Sequence, residues 1–142
     1  MDRRHGAAVA ALTLAVALVA SACSDAPASA DAVDAAERFY AAVADGDGEA
    51  ACALLLPDAA EAAADDADAP CALAVTSGAI GDDLASRADG LGTATAHVAG
   101  RQAQVLFAAD TVFLARSGGG WVVTAAGCDS RPERPYDCEV EA

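Results

Sequence analysis

The chain changes its hydrophobic period near residue 92, and that change constrains the fold more than any other feature. Before it, apolar residues recur at helical spacing. Val33, Ala36, Tyr40 and Val43 form one stripe, widened by Phe39. Asp31 is placed to cap this helix, with Asp34 and Glu37 in its early turns, and Asp45-Gly46-Asp47-Gly48 stops it. A second helix is expected over 49–56, with Cys52 and Leu55 near one face and Pro57 at its end. Residues 58–67 read as a third, frayed turn, 71–80 as a short helix or turn leading into an apolar run, and 81–92 as a loop. Beyond it, four segments rich in β-branched residues (93–98, 101–108, 111–116 and 121–126) are separated by turn residues. Ala103, Val105 and Phe107 share one side of the second, and Gln102, Gln104 and Leu106 the other. Ser117-Gly118-Gly119-Gly120 forms a tight hairpin into Trp121. Helices first and antiparallel strands after them predict an α+β fold, with the helices packed on one face of a curved sheet of about four strands.

The N-terminus reads as an address and not as part of that fold. Arg3 and Arg4 precede an apolar run of 14 residues, 7–20, and the small residues Ala20-Ser21-Ala22 lead into Cys23. A secretory signal needs a basic start, about 7–15 apolar residues and small residues before the cut. A spanning helix needs about 20. The box resembles the bacterial lipobox, with Ala20 where that pattern prefers Leu; an ordinary secretory signal cut after Ala22 is the other reading. On the lipobox reading, 1–22 is a lipoprotein signal, Cys23 carries the acyl chains, 23–30 is a tether containing Pro27, and 31–142 is the domain. Two acyl chains give lasting attachment where one is marginal. The mature protein is then expected on the outer face of the plasma membrane, held there by its lipid.

Cysteine parity favours that reading. The chain has five cysteines, at 23, 52, 71, 128 and 138, and lipid on Cys23 leaves four. Four cysteines allow three pairings. The local pairs Cys52–Cys71 and Cys128–Cys138 are expected, since each stays within one half of the chain. They also offset a thin core, because the apolar content is mostly alanine. A zinc site has no CxxC pair to support it.

Charge excludes several partners. Removing Asp2, Arg3 and Arg4 with the signal takes one positive charge from a formal net −14, leaving −15 on 120 residues. Nucleic acid and anionic lipid headgroups both require basic patches, so neither is an expected partner. Segment 23–90 carries 15 acidic residues and two arginines, whereas 91–142 is nearly neutral. The acidic excess reads as a solvated helical surface.

The second half resembles the small domains of actinobacterial lipoproteins that are similar to nuclear transport factor 2. The resemblance rests on the alternating strands, the glycine hairpin, Trp121-Val122-Val123, Ala125-Ala126-Gly127-Cys128 and Pro135-Tyr136-Asp137-Cys138-Glu139-Val140, together with Phe39-Tyr40 in the helical half. It implies a cone-shaped domain and no assigned chemistry.

Catalytic candidates are few. His97 is the only histidine outside the signal, with Thr95 on its side of the first strand and Ala96 and Val98 on the other. Facing the cone interior beside Asp110 or Tyr40, it could act as a general base. Asp45-Gly46-Asp47-Gly48-Glu49 fails the calcium-loop pattern, having Ala50 at the sixth position and Leu56 at the twelfth. No cofactor or metal is expected. The leading expectation is a non-catalytic module that binds a protein or a small apolar ligand in its cone. The alternative is a small isomerase- or cyclase-like enzyme of the same fold. A dry pocket lined by His97 and a carboxylate would favour the enzyme, and an interior filled by Phe107, Trp121 or Tyr40 the binding module.

Overall fold

A computed structural model describes residues 26–133 and 135–142. Cys23, the signal segment and the first part of the tether lie outside the described residues. Five helices are followed by five strands, so the α+β order read from the sequence holds. The strands form one curved antiparallel sheet in the order β1-β2-β3-β4-β5, one more strand than expected.

Helix α1 (Ala26–Ala44) starts five residues ahead of Asp31. Pro27 suits the first helical turn, where its missing N–H has no intrahelical partner to lose, and the neighbouring alanines are strong helix formers. The segment expected as a tether is therefore helical from Ala26. Ala32, Ala35, Ala36, Phe39, Tyr40 and Val43 bury one face of this helix. In α2 (Gly48–Ala53) the Asp47 carboxylate accepts the Ala50 N–H at 3.0 Å and caps the helix. The chain then leaves the helix sooner than expected. Leu56 N–H donates to the Val123 carbonyl at 2.7 Å, and Val123 N–H to the Leu54 carbonyl at 2.8 Å, tying the helical layer to the sheet. Residues expected to fray form a regular helix, α3 (Pro57–Ala67), because Ala59 and Ala63 bury a continuous small-residue face. Helix α4 (Cys71–Ala74) is a single turn, held to α2 by the Cys52–Cys71 disulfide.

The largest departure is α5 (Gly78–Asp89), which occupies most of the segment read as a loop. Gly81 and three acidic residues give it a loop-like composition. Packing decides otherwise. Leu84 is fully buried, Ile80 and Ala88 pack beside it, and Asp83 pairs with Arg87 one turn on. Gly81 is required by close approach, since a Cβ there would lie 2.5 Å from the Thr76 carbonyl carbon.

Strands β1 (Thr95–Ala99), β2 (Gln102–Leu106), β3 (Thr111–Ser117) and β4 (Gly120–Ser130) follow the predicted segments within a few residues. The strand missed in the sequence is β5 (Tyr136–Glu141), paired with the extended end of β4. Its Asp and Glu residues hide the alternation, and the Cys128–Cys138 disulfide joins directly opposed residues across the pair. Ala103, Val105, Val112, Leu114, Trp121, Val123 and Val140 face the helices and form the core with α1, Leu55, Val75 and Leu84.

One irregularity redistributes side chains between the two faces. In a regular strand Tyr136, Cys138 and Val140 would share a face. Val140 is in the core, whereas Tyr136 packs edge-to-face on Phe113, which lies between the core residues Val112 and Leu114 and so faces away from the helices. The strand turns its faces over beside Gly127, which has φ +68°. A Cβ at Gly127 would sit 2.9 Å from Glu139 Cβ and 3.3 Å from Leu84 Cδ2. Gly127→Ala is therefore expected to lower stability by about 1–3 kcal/mol through left-handed strain and crowding. An unchanged urea midpoint would show that the turnover does not depend on this residue.

Candidate functional site

Two places in the fold carry chemistry-bearing side chains. The first is a buried polar cluster around Asp110, at the turn between β2 and β3. Its side chain is fully buried. Oδ2 accepts the Tyr40 hydroxyl and the Gly127 N–H (3.1 Å), and Oδ1 accepts the Cys128 N–H at 2.6 Å. Arg87 Nη1 approaches Oδ1 to 3.6 Å. The same guanidinium donates to Asp83 (2.6 Å), to the Ala109 carbonyl (3.2 Å) and, through two nitrogens, to both oxygens of Asp129 (3.2 and 2.9 Å). One arginine on α5 thus gathers the β2–β3 turn and the end of β4.

The electrostatics of this cluster suit holding more than proton transfer. Burial raises the Asp110 carboxyl above its ordinary range, and hydrogen bonds from Tyr40, Cys128 and Gly127 and the Arg87 charge offset only part of that rise. Burial, with the adjacent Asp110 charge, drives the Tyr40 phenol far above its usual value, so it stays a permanent donor. Arg87 is held charged chiefly by Asp129, whose own carboxyl Arg87 keeps below the ordinary range. Three protein donors hold the Asp110 carboxylate, and Tyr40 is only 1% exposed.

His97 does not join them. It is exposed on β1 opposite Gln104, while its neighbours Ala96 and Val98 pack toward the helices. Strand alternation therefore puts it on the far side of the sheet from Tyr40 and Asp110. Of the three sequence candidates, the fold brings two together and separates the third. Arg87, the hub of the cluster, was missed because its segment reads as a loop; the Asp83-to-Arg87 spacing beside Ile80, Leu84 and Ala88 was the available signal.

The second place is a recess of about 510 Å³ on the face of the sheet away from the helices. Gln102, Gln104, Phe113, Thr124, Tyr136 and Glu141 are among its lining residues. Phe113 and Tyr136 meet at 4.9 Å between ring centroids, and Gln104 Nε2 donates to the Tyr136 hydroxyl at 2.9 Å. The face inversion beside Gly127 is what delivers Tyr136 to this wall. The signal in the sequence was the outward-facing Gln102, Gln104 and Phe113, once β3 is read as a strand with Val112 and Leu114 inside. Among the described residues no group of three or more His, Cys, Asp or Glu side chains is placed to hold a metal ion, and no helix is long and apolar enough to cross a membrane.

Comparison of the chain with models of known families, with curated proteins and with solved structures finds no match.

The Asp110 cluster predicts two stability effects. Asp110→Asn replaces an acceptor by a donor against N–H and O–H groups and is expected to cost about 3–5 kcal/mol, whereas Tyr40→Phe removes one donor and costs about 1–3. Urea denaturation that placed the Asn variant within 1 kcal/mol (about one hydrogen bond) of the natural chain would refute the clamp. The Arg87–Asp129 pair, whose carboxylate is exposed, has a separate pH signature. Because the folded Asp129 value is depressed, its stabilisation is present above the ordinary Asp value of about 3.9 and is lost as the pH falls through the lower folded value. Asp129→Asn should flatten the stability profile in that acid window by less than about 1 kcal/mol.

Proposed function

We propose that the chain is a lipid-anchored, extracytoplasmic binding module built on a cone of the nuclear transport factor 2 kind. Its ligand face is the outer recess of the sheet, not the space between helices and sheet. One observation carries this reading. The interior expected to form a pocket is filled: Phe39, Tyr40 and Trp121 are buried there, and Tyr40 packs edge-to-face against Phe39 and Phe107. The recess on the opposite face is open and has the mixed aromatic and amide lining of a small-molecule site, within the usual volume of about 300–1,000 Å³. The small-enzyme alternative has no comparable support, because the paired acid and phenol are sealed in the core and His97 lies on the other side of the sheet.

The extracytoplasmic address draws on separate observations. Two disulfides suit an oxidising compartment, and the fifth cysteine stands where a lipobox places its acylated residue. The binding part of the proposal is tested by ligand-observed magnetic resonance with a fragment set. Ala115→Trp fills the recess and is expected to abolish the binding seen with the natural chain; fragments that bind both equally would sink the recess reading. Radioactive palmitate should label the natural chain and not Cys23→Ala, and equal labelling of the two would end the anchor reading.

A further inference from the structure

The recess has a chemical bias that narrows what it takes. Among the described residues its lining contains no lysine, arginine or histidine, and the one charged side chain there is Glu141. Two aromatic rings, Phe113 and Tyr136, stand in the same wall. Gln104 donates to the Tyr136 oxygen with its amide nitrogen, which leaves its own carbonyl oxygen free to accept. The arginines that flank Gln102 and Ala115 are engaged elsewhere. Arg116 lies 4.4 Å over the ring of Trp121, whose side chain belongs to the core, and Arg101 donates to the Arg116 carbonyl at 2.8 Å. Arg131, near the start of β5, is paired with Asp137.

From this lining, and resting on the reading of the recess as a ligand site, we infer that the ligand is a small organic cation: an ammonium group held between the Phe113–Tyr136 wall and the Glu141 carboxylate. Aromatic rings attract cations through the negative potential of their faces, and the attraction grows as water is excluded. A carboxylate beside the rings adds a direct charge pair. The same carboxylate and rings repel an anionic ligand and give a neutral one only apolar contact. The surrounding field acts in the same direction. A chain of net charge −14, or −15 after loss of the signal, raises the local concentration of cations and speeds their capture at low ionic strength.

The test uses the full processed chain and three probes: benzyltrimethylammonium, its neutral carbon isostere neopentylbenzene, and the smaller anion benzoate. Titration followed by backbone amide shifts reads both affinity and place. The cation is expected to bind about tenfold more tightly than the isostere, with shifts centred on Gln104, Phe113, Thr124 and Tyr136, and benzoate is expected not to bind. Glu141→Gln should erase most of the difference between cation and isostere while leaving the isostere's affinity unchanged. Glu141 is exposed, so this variant keeps the fold, and Phe113→Leu provides a second, apolar control that should weaken the cation more than the isostere. Equal affinity for cation and isostere at the recess overturns the charge preference and leaves the binding-module reading standing. Retention of the cation preference in Glu141→Gln overturns the role of that carboxylate. No shift at the recess with any probe at millimolar concentration removes both readings together.

Discussion

The carboxylate of Asp110 takes hydrogen bonds from a helix and from the backbone of a bent strand, and an arginine from a second helix stands against it. Tyr40 brings α1, Gly127 and Cys128 bring β4, and Arg87 brings α5. Removing such a charge from water is expensive and is tolerated only where donors replace the lost solvent. Here they do, and the replacement dictates geometry. The two N–H groups must converge on one carboxylate, which fixes the bend of β4, and the bend fixes where β5 can run. The helices are held in register with the sheet by the same group. A core made largely of alanine and valine has little shape to specify this arrangement, so the polar cluster supplies directionality that the apolar contacts lack.

The two disulfides reinforce the places where apolar packing is thinnest. Cys52–Cys71 joins α2 to the single turn of α4, two short helices that bury little large apolar surface. Cys128–Cys138 lies one residue from the bend and closes the strand pair immediately beyond it. Between them, Leu54 and Leu56 exchange backbone hydrogen bonds with Val123. The helical layer is thus joined to the sheet by ionic and backbone links at different points along β4, while each disulfide acts within one layer.

The sequence carried the order of elements, the first four strands and the alanine stripe of α1, because each of these follows a local period. It hid α5 because Gly81, Asp82 and Asp83 have the composition of a loop, and the requirement for Gly81 arises only from the approach of Thr76. It hid β5 because the inward and outward sets change places partway along the strand. Tyr40 and Asp110 were visible as titratable residues near an expected cavity, but their burial and mutual pairing depend on partners 70 positions apart in the chain. His97 was read correctly onto a strand, and alternation then placed it outside. The recess was legible only in part: alternation turns Gln102, Gln104 and Phe113 outward, but its wall also takes residues from β4 and β5, and β5 was not recognised as a strand.

The inversion beside Gly127 gives β5 a divided allegiance. Val140 answers to the core, while Tyr136 and Cys138 before it and Glu141 after it answer to the outer face. In most sheets a single strand cannot be rewritten on one face without a neighbour on the other feeling it within two residues. Here the inversion gives the start of the strand to the outer face, and core packing enters only at Val140, with Glu141 back on the outer face. Changes at the start of β5 and in the loop before it can retune what the outer face prefers while the core packing around Val140 stays as it is.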